Sequence, residues 1–254
     1  MVNDLYLDGK KFSRDLDIPC YMVDKSYVLK PNSFMDICQE MALEGADKLG
    51  FGYNKIFPMN LAWVVSRMHF HFDKHPRWRD EAKITTWHKG INGLFYVRDY
   101  EMRVGGELYA TATSSWVIIN LETRAMERPE TMCVIADPTP QDESHAIEAL
   151  APKVRMPRGV EVKKVRDHLA AYSDLDINGH VNNTRYLAWA MDCIEPEVAG
   201  VKPVKDVYIN FSKEVHEGDT VQLMMAVENK EDSLAYTIEG IVDDHSAFIV
   251  KIVF

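Results

Sequence analysis

The chain is built on an internal repeat. Residues 70–86, FHFDKHPRWRDEAKITT, lie over residues 209–225, INFSKEVHEGDTVQLMM, without a gap at an offset of 139. That register pairs Phe72 with Phe211, Lys74 with Lys213, Asp80 with Asp219, Ala82 with Val221 and Ile84 with Leu223. After a one-residue slip, LFYVRDYEM from Leu94 lies over LAYTIEGIV from Leu234. An apolar helical pattern precedes each copy, FMDICQEMALEGADKLG from Phe34 and NNTRYLAWAMDCI from Asn182. A duplicated unit has the same apolar helix to bury twice, so the two halves are expected to share one architecture.

Period-two alternation and β-branched or aromatic content predict strands over 62–73, 82–88, 94–103 and 107–120, and again over 207–213, 220–228, 233–242 and 247–254. Turn-forming runs agree with those limits, at 90–93 and 104–106 in the first half and at 229–232 and 243–246 in the second. A helix held against an antiparallel sheet, twice over, is an α+β fold. The expected division is 1–126, a linker over 127–159 rich in Pro, Asp and Glu, and 160–254. A linker of this length suits a crossing from one domain to the other.

Composition narrows the function. With 254 residues, 46% of them hydrophobic, the chain can bury a full core. No run of eighteen apolar residues occurs, and MVNDLYLDGKKF at the start has no apolar signal region, so a soluble, cytoplasmic protein without membrane attachment is expected. Cys20, Cys38, Cys133 and Cys193 lack metal or redox spacing and are expected to be free thiols. A formal charge of −10 argues against broad nucleic-acid binding.

Chemistry concentrates in residues 173–189, SDLDINGHVNNTRYLAW, where Asp176, Asn178 and His180 alternate just before a helix. An acid, an amide and an imidazole at the positive end of a helix dipole suit an anionic intermediate. The plainer reading is a turn with Asn182 or Asn183 as helix N-cap. The repeat makes Glu214 conspicuous, because it replaces His75 of the first copy. On its own it is a charge at a strand end, but a strand returning beside the helix brings it within reach of Asp176 and His180. The sequence has no GxSxG elbow, phosphate loop or dinucleotide fingerprint. His69 and His71 alternate with Arg67 and Asp73, yet lack a third ligand at convincing spacing, so no metal is expected. Met35, Met41, Met68, Trp63 and Phe70 can line an apolar channel or simply fill the core.

Residues 61–87, LAWVVSRMHFHFDKHPRWRDEAKITTW, and residues 173–189 together resemble the two signatures of the acyl-acyl-carrier-protein thioesterases of bacteria and plant plastids, and RDYEM from Arg98 and SSWVIIN from Ser114 extend the likeness. The resemblance implies two tandem hot-dog domains, the first binding an acyl chain and the second catalytic. It also implies hydrolysis of a fatty acyl thioester on acyl carrier protein, without cofactor. The family's site residues fall on Asp176, Asn178, His180 and Glu214. Val215 stands where plant members commonly carry a cysteine, so a cysteine there cannot be this chain's nucleophile. Substrate contacts are expected at Met35, Met41, Trp63, Met68, Asn182 and Asn183. Glu214 or Asp176 would activate water, or a carboxylate would attack directly to form an anhydride. Asn178 would orient the water or an acidic partner, while the helix N-terminus stabilises the oxyanion and His180 holds substrate or protonates the thiolate. An acidic carrier needs positive surface, for which Lys153, Arg155, Arg158, Lys163, Lys164 and Arg166 are candidates unless they merely solvate the linker. The alternatives are an acyl-CoA thioesterase, an enoyl-thioester hydratase and a non-catalytic acyl-binding protein. Pairing of exposed strand edges makes a homodimer plausible.

Overall fold

The computed structural model describes residues 4–132, 141–231 and 233–254. Cys133, Asp232, residues 1–3 and part of the expected linker lie outside the described residues. The first half contains β1 (Tyr6–Asp8), β2 (Lys11–Asp17), α1 (Pro31–Lys48), α2 (Tyr53–Ile56), β3 (Leu61–Phe72), β4 (Glu81–Asn92), β5 (Phe95–Val104), β6 (Glu107–Asn120), β7 (Met126–Glu127) and α3 (Pro129–Met132). The second contains β8 (Val162–Leu169), α4 (Asn183–Met191), β9 (Asp206–Phe211), β10 (Thr220–Lys230), β11 (Ser233–Val242) and β12 (His245–Val253). All strands join one antiparallel sheet in the order β1-β2-β4-β5-β6-β3-β9-β12-β11-β10-β8, with β7 beside β6. β2 and β8 were not expected from the alternation.

Each half wraps its sheet around its helix, the tandem hot-dog arrangement. In β3 the buried Val65, Met68, Phe70 and Phe72 face inward. Phe34 of α1 meets Phe70 and Phe72 edge-on at 5.6 and 5.4 Å. Phe34 is fully buried, a contribution of roughly 1.5–3 kcal/mol for a side chain of this size. In the second half Tyr186 of α4 stacks on Phe248 of β12 at 4.5 Å. Gly240 on β11 gives that ring its room, since a Cβ there would lie 2.1 Å from Phe248 Cε1. α4 spans nine residues, shorter than the apolar pattern that begins it. Past Met191 the backbone tightens, Cys193 N donating to Ala190 O and Ile194 N to Met191 O.

The halves meet along β3 and β9, which pair from Arg67↔Asn210 to His71↔Asp206. Both helices contribute to one apolar cluster, with Phe34, Met35, Cys38 and Met41 from α1 and Tyr186, Leu187, Trp189 and Ala190 from α4. On the outer face of the seam, His69 Nε2 and His71 Nδ1 each lie 2.9 Å from Asp206 Oδ1. Residues 141–161 carry no helix or strand and are tied down from both sides. Trp87 Nε1 donates to Ser144 O, Ala146 N to Asp99 Oδ2, and Asn210 Nδ2 to Pro152 O. Cys20, Cys38 and Cys193 are free thiols. No described helix is long and apolar enough to cross a membrane.

Candidate active site

The loop before α4 is shaped by its own acid. Asp176 Oδ1 accepts from the backbone N–H of Asn178 at 2.8 Å and of His180 at 3.4 Å, and Asp176 N donates to His180 O at 2.8 Å. Gly179 turns this loop at φ +75°, a conformation that costs a side-chain-bearing residue about 1–2 kcal/mol. Asn182 then caps α4, its Oδ1 accepting from Thr184 N and Thr184 Oγ1, each at 3.0 Å. Val181 N donates to Val215 O at 2.8 Å. This bond and the His180↔His216 bridge lay the end of β9 beside the loop.

Four side chains converge there. His180 Nδ1 lies 3.7 Å from Glu214 Oε1, and the rings of His180 and His216 meet at right angles with centroids 4.8 Å apart. Arg124, from the turn after β6 in the other half, places Nη2 2.5 Å from Glu214 Oε2. His180, Glu214 and His216 also bring one ligand atom each within 4.8 Å of one another, a grouping able to hold a metal ion. Around the first turn of α4 the amides of Val181, Asn182, Thr184 and Arg185 donate to Val215 O, Asp174 O, Asn182 Oδ1 and Asn182 O. Asn183, the first residue of α4, is on the cavity wall.

That cavity, about 670 Å³, runs from the site into the first half. Asp176, Asn178, His180, Asn183 and Glu214 stand on its second-half wall, and Ala46, Phe51, Ile56, Trp63, Tyr96 and Trp116 on its first-half wall. Burial pushes the pKa of Tyr186, also on the wall, well up, and the Glu214 and Asp176 charges add to the effect. Arg98, likewise on the wall, is buried, and burial pulls its pKa down.

Of the residues singled out in the sequence, Asp176, Asn178, His180 and Glu214 come together, and Trp63 and Asn183 reach the cavity. Asn182 is the helix cap. Met35, Met41 and Met68 do not reach the wall: they are at most 1% exposed and pack in the shared core. The basic run is less positive than it reads. Lys163 pairs with Glu161 at 3.1 Å, Lys164 with Asp167 at 2.8 Å and Arg166 with Asp192 at 4.0 Å. Arg124 and His216 were missed. His216 had a signal, being the counterpart of Arg77 two residues past the His75/Glu214 pair. Arg124 had none, since nothing local places it opposite a residue ninety positions away.

Over 240 residues the chain is 29% identical to the palmitoyl-acyl carrier protein thioesterase of Arabidopsis thaliana chloroplasts, covering 87% of this chain and 56% of that one. It is 26% identical to oleoyl-acyl carrier protein thioesterase 2 of the same organism, covering 87% of this chain and 64% of the relative. The chain thus spans less than two thirds of the length of either. Among solved structures it shares its fold with the 12:0-ACP thioesterase from Umbellularia californica, at TM-score 0.79 and 20% identity over 97% of this chain and 98% of that one. It does so too with an acyl-ACP thioesterase from Bacteroides thetaiotaomicron, at TM-score 0.77 and 22% identity over 96% and 98%. The family models for the acyl-ACP thioesterase N-terminal and C-terminal domains match residues 9–133 and 159–252, and the chain therefore belongs to the acyl-ACP thioesterase family.

Proposed function

We propose that this protein hydrolyses fatty acyl thioesters of acyl carrier protein to free fatty acid and carrier thiol. The observation that carries the reading is the convergence of Glu214, His180 and the first turn of α4 on the rim of an apolar cavity that reaches into the first half. The acyl chain lies in the cavity and the thioester carbonyl at the rim, with its oxygen toward the N-terminus of α4. Glu214 takes a proton from water as the water oxygen bonds to the carbonyl carbon. The tetrahedral oxyanion then collapses, the carbon–sulfur bond breaks, and the thiolate leaves with a proton from His180 or from Glu214. Asp176 is the poorer base, because its Oδ1 already accepts two backbone N–H groups of its own loop. Its part is to hold that loop, with Asn178 beside it.

The carrier approaches the mouth, where Ile177 is 84% exposed and Lys213 stands on the cavity wall. β3 and β9 pair within the chain, and β1 and β8 end the sheet, the edges through which a homodimer would pair.

Free-thiol release from matched acyl-carrier-protein and acyl-CoA thioesters tests the reading, with Glu214→Gln as the paired control. Faster release from the carrier series, lost in the variant, is expected. Preference for the CoA series would reassign the partner, and no release from either would leave acyl binding or hydration in place of hydrolysis.

A further inference from the structure

We propose that Arg124, carried by the first half, is the positioning residue for the Glu214 carboxylate in the second. The inference rests on the reading of Glu214 as the base. Arg124 sits in the turn between β6 and β7 with φ +59°, a region that residues with side chains adopt at a cost. The turn is fastened on several sides. Asn120 Oδ1 accepts from Glu122 N and Thr123 N, Arg124 N donates to Asn120 O, Asn120 N donates to Ala125 O, and Leu121 N donates to Asn60 O. What this arrangement presents is a guanidinium 2.5 Å from Glu214 Oε2.

Folding does not account for it. The Arg124 side chain is 54% exposed and that of Glu214 34%, and an ion pair so open to solvent adds little to stability. Its effect is on orientation. A half-exposed glutamate turns freely about its terminal bond. Arg124 takes one oxygen and so leaves Oε1 directed at His180 and at the place where water must be deprotonated. A base held in this attitude needs no reorganisation during the reaction. The acyl-binding half thereby completes the site of the other half.

The test is steady-state hydrolysis of an acyl-carrier-protein thioester by the full chain carrying Arg124→Met, Arg124→Lys, Glu214→Gln, or Arg124→Met with Glu214→Gln. Arg124→Met is expected to lower kcat about ten- to a hundredfold with KM little changed. Arg124→Lys should fall between it and the parent, the melting temperature should hold, and added guanidinium should restore part of the lost kcat. In the Glu214→Gln background the Arg124 change should add little, because the two act as one unit. Unchanged kcat in Arg124→Met, or a rise in KM alone, would overturn the assignment while a dead Glu214→Gln kept the hydrolytic reading intact. Full activity in Glu214→Gln would overturn both.

Discussion

His75 and Glu214 occupy the same place in the two halves, one three residues past the end of β3 and the other three residues past the end of β9. The residue after each accepts a backbone bond of 2.8 Å from the segment before the helix, Leu29 N to Pro76 O and Val181 N to Val215 O. The loops match bond for bond. Asp24 Oδ1 accepts from Ser26 N and Val28 N, as Asp176 Oδ1 does from Asn178 N and His180 N. Tyr27, at φ +64°, takes the turn that Gly179 takes at +75°. The duplication has kept the scaffold, and only the second copy carries the groups proposed for catalysis: Val28 stands for His180, His75 for Glu214 and Arg77 for His216. The first loop is also covered, with Ser26 Oγ donating to Gly200 O at 2.7 Å, whereas the second opens on the cavity.

The two loop acids should therefore separate structure from chemistry. Asp24→Ala leaves two amides without their acceptor and should cost about 1–3 kcal/mol of stability, yet leave kcat of the folded enzyme unchanged. Asp176→Ala should cost a similar amount and lower kcat as well. Urea unfolding beside thiol-release assays checks both; a loss of turnover in folded Asp24→Ala would show that the first loop takes part in the reaction.

His75 gives a pH signature. Burial holds its pKa below the ordinary value, opposed by the Asp24 charge and a hydrogen bond to the Val204 backbone. The unfolded chain thus takes up this proton first as pH falls. Stability linked to His75 is fully present above about pH 6.5 and is lost as pH falls from there through the folded value. Denaturant unfolding between pH 7.5 and pH 5 should show that slope, reduced in His75→Gln. An unchanged slope in the variant would assign it to another group.

Gly240 is a packing requirement. A Cβ at this position meets the Phe248 ring, and that ring is stacked on Tyr186 and fully buried. Gly240→Ala should destabilise the protein by about 1–3 kcal/mol through overpacking, read as a lower melting temperature. Stability equal to the parent would mean that β11 and β12 separate more easily than a packed sheet should.

What the sequence displays depends on how local the cause is. The long strands of both halves are legible from alternation and from their β-branched and aromatic content. β8, VKKVRDHL, is almost wholly exposed, and β2, KFSRDLD, mixes charge into its buried positions; neither alternates cleanly, so neither is legible. Asp176, Asn178 and His180 are legible because one turn holds them, and Glu214 because the repeat singles it out. Arg124 and the 51–57 wall of the cavity are brought to the site by the joining of the halves at β3 and β9, which no local pattern encodes. Met35 and Met41 have the chemistry of a channel lining but the helical phase of the core.

The cavity wall carries the last prediction. Ala46 faces inward from α1, 8% exposed, among Phe51, Ile56, Tyr96 and Ile118, and it is part of the wall. If the acyl chain occupies this space, a large side chain at Ala46 shortens the channel without touching Glu214, His180 or α4. Ala46→Phe should then lower kcat/KM for the longest accepted chains about ten- to a hundredfold, the scale set by a few methylenes losing their pocket. Shorter chains, which end before the new ring, should be turned over within a few-fold of the parent rate. Thiol release across a chain-length series, with melting temperature followed in parallel, decides the matter. A uniform fall across the series in a stable protein would mean that Ala46 supports the site from the core and that the acyl chain runs elsewhere.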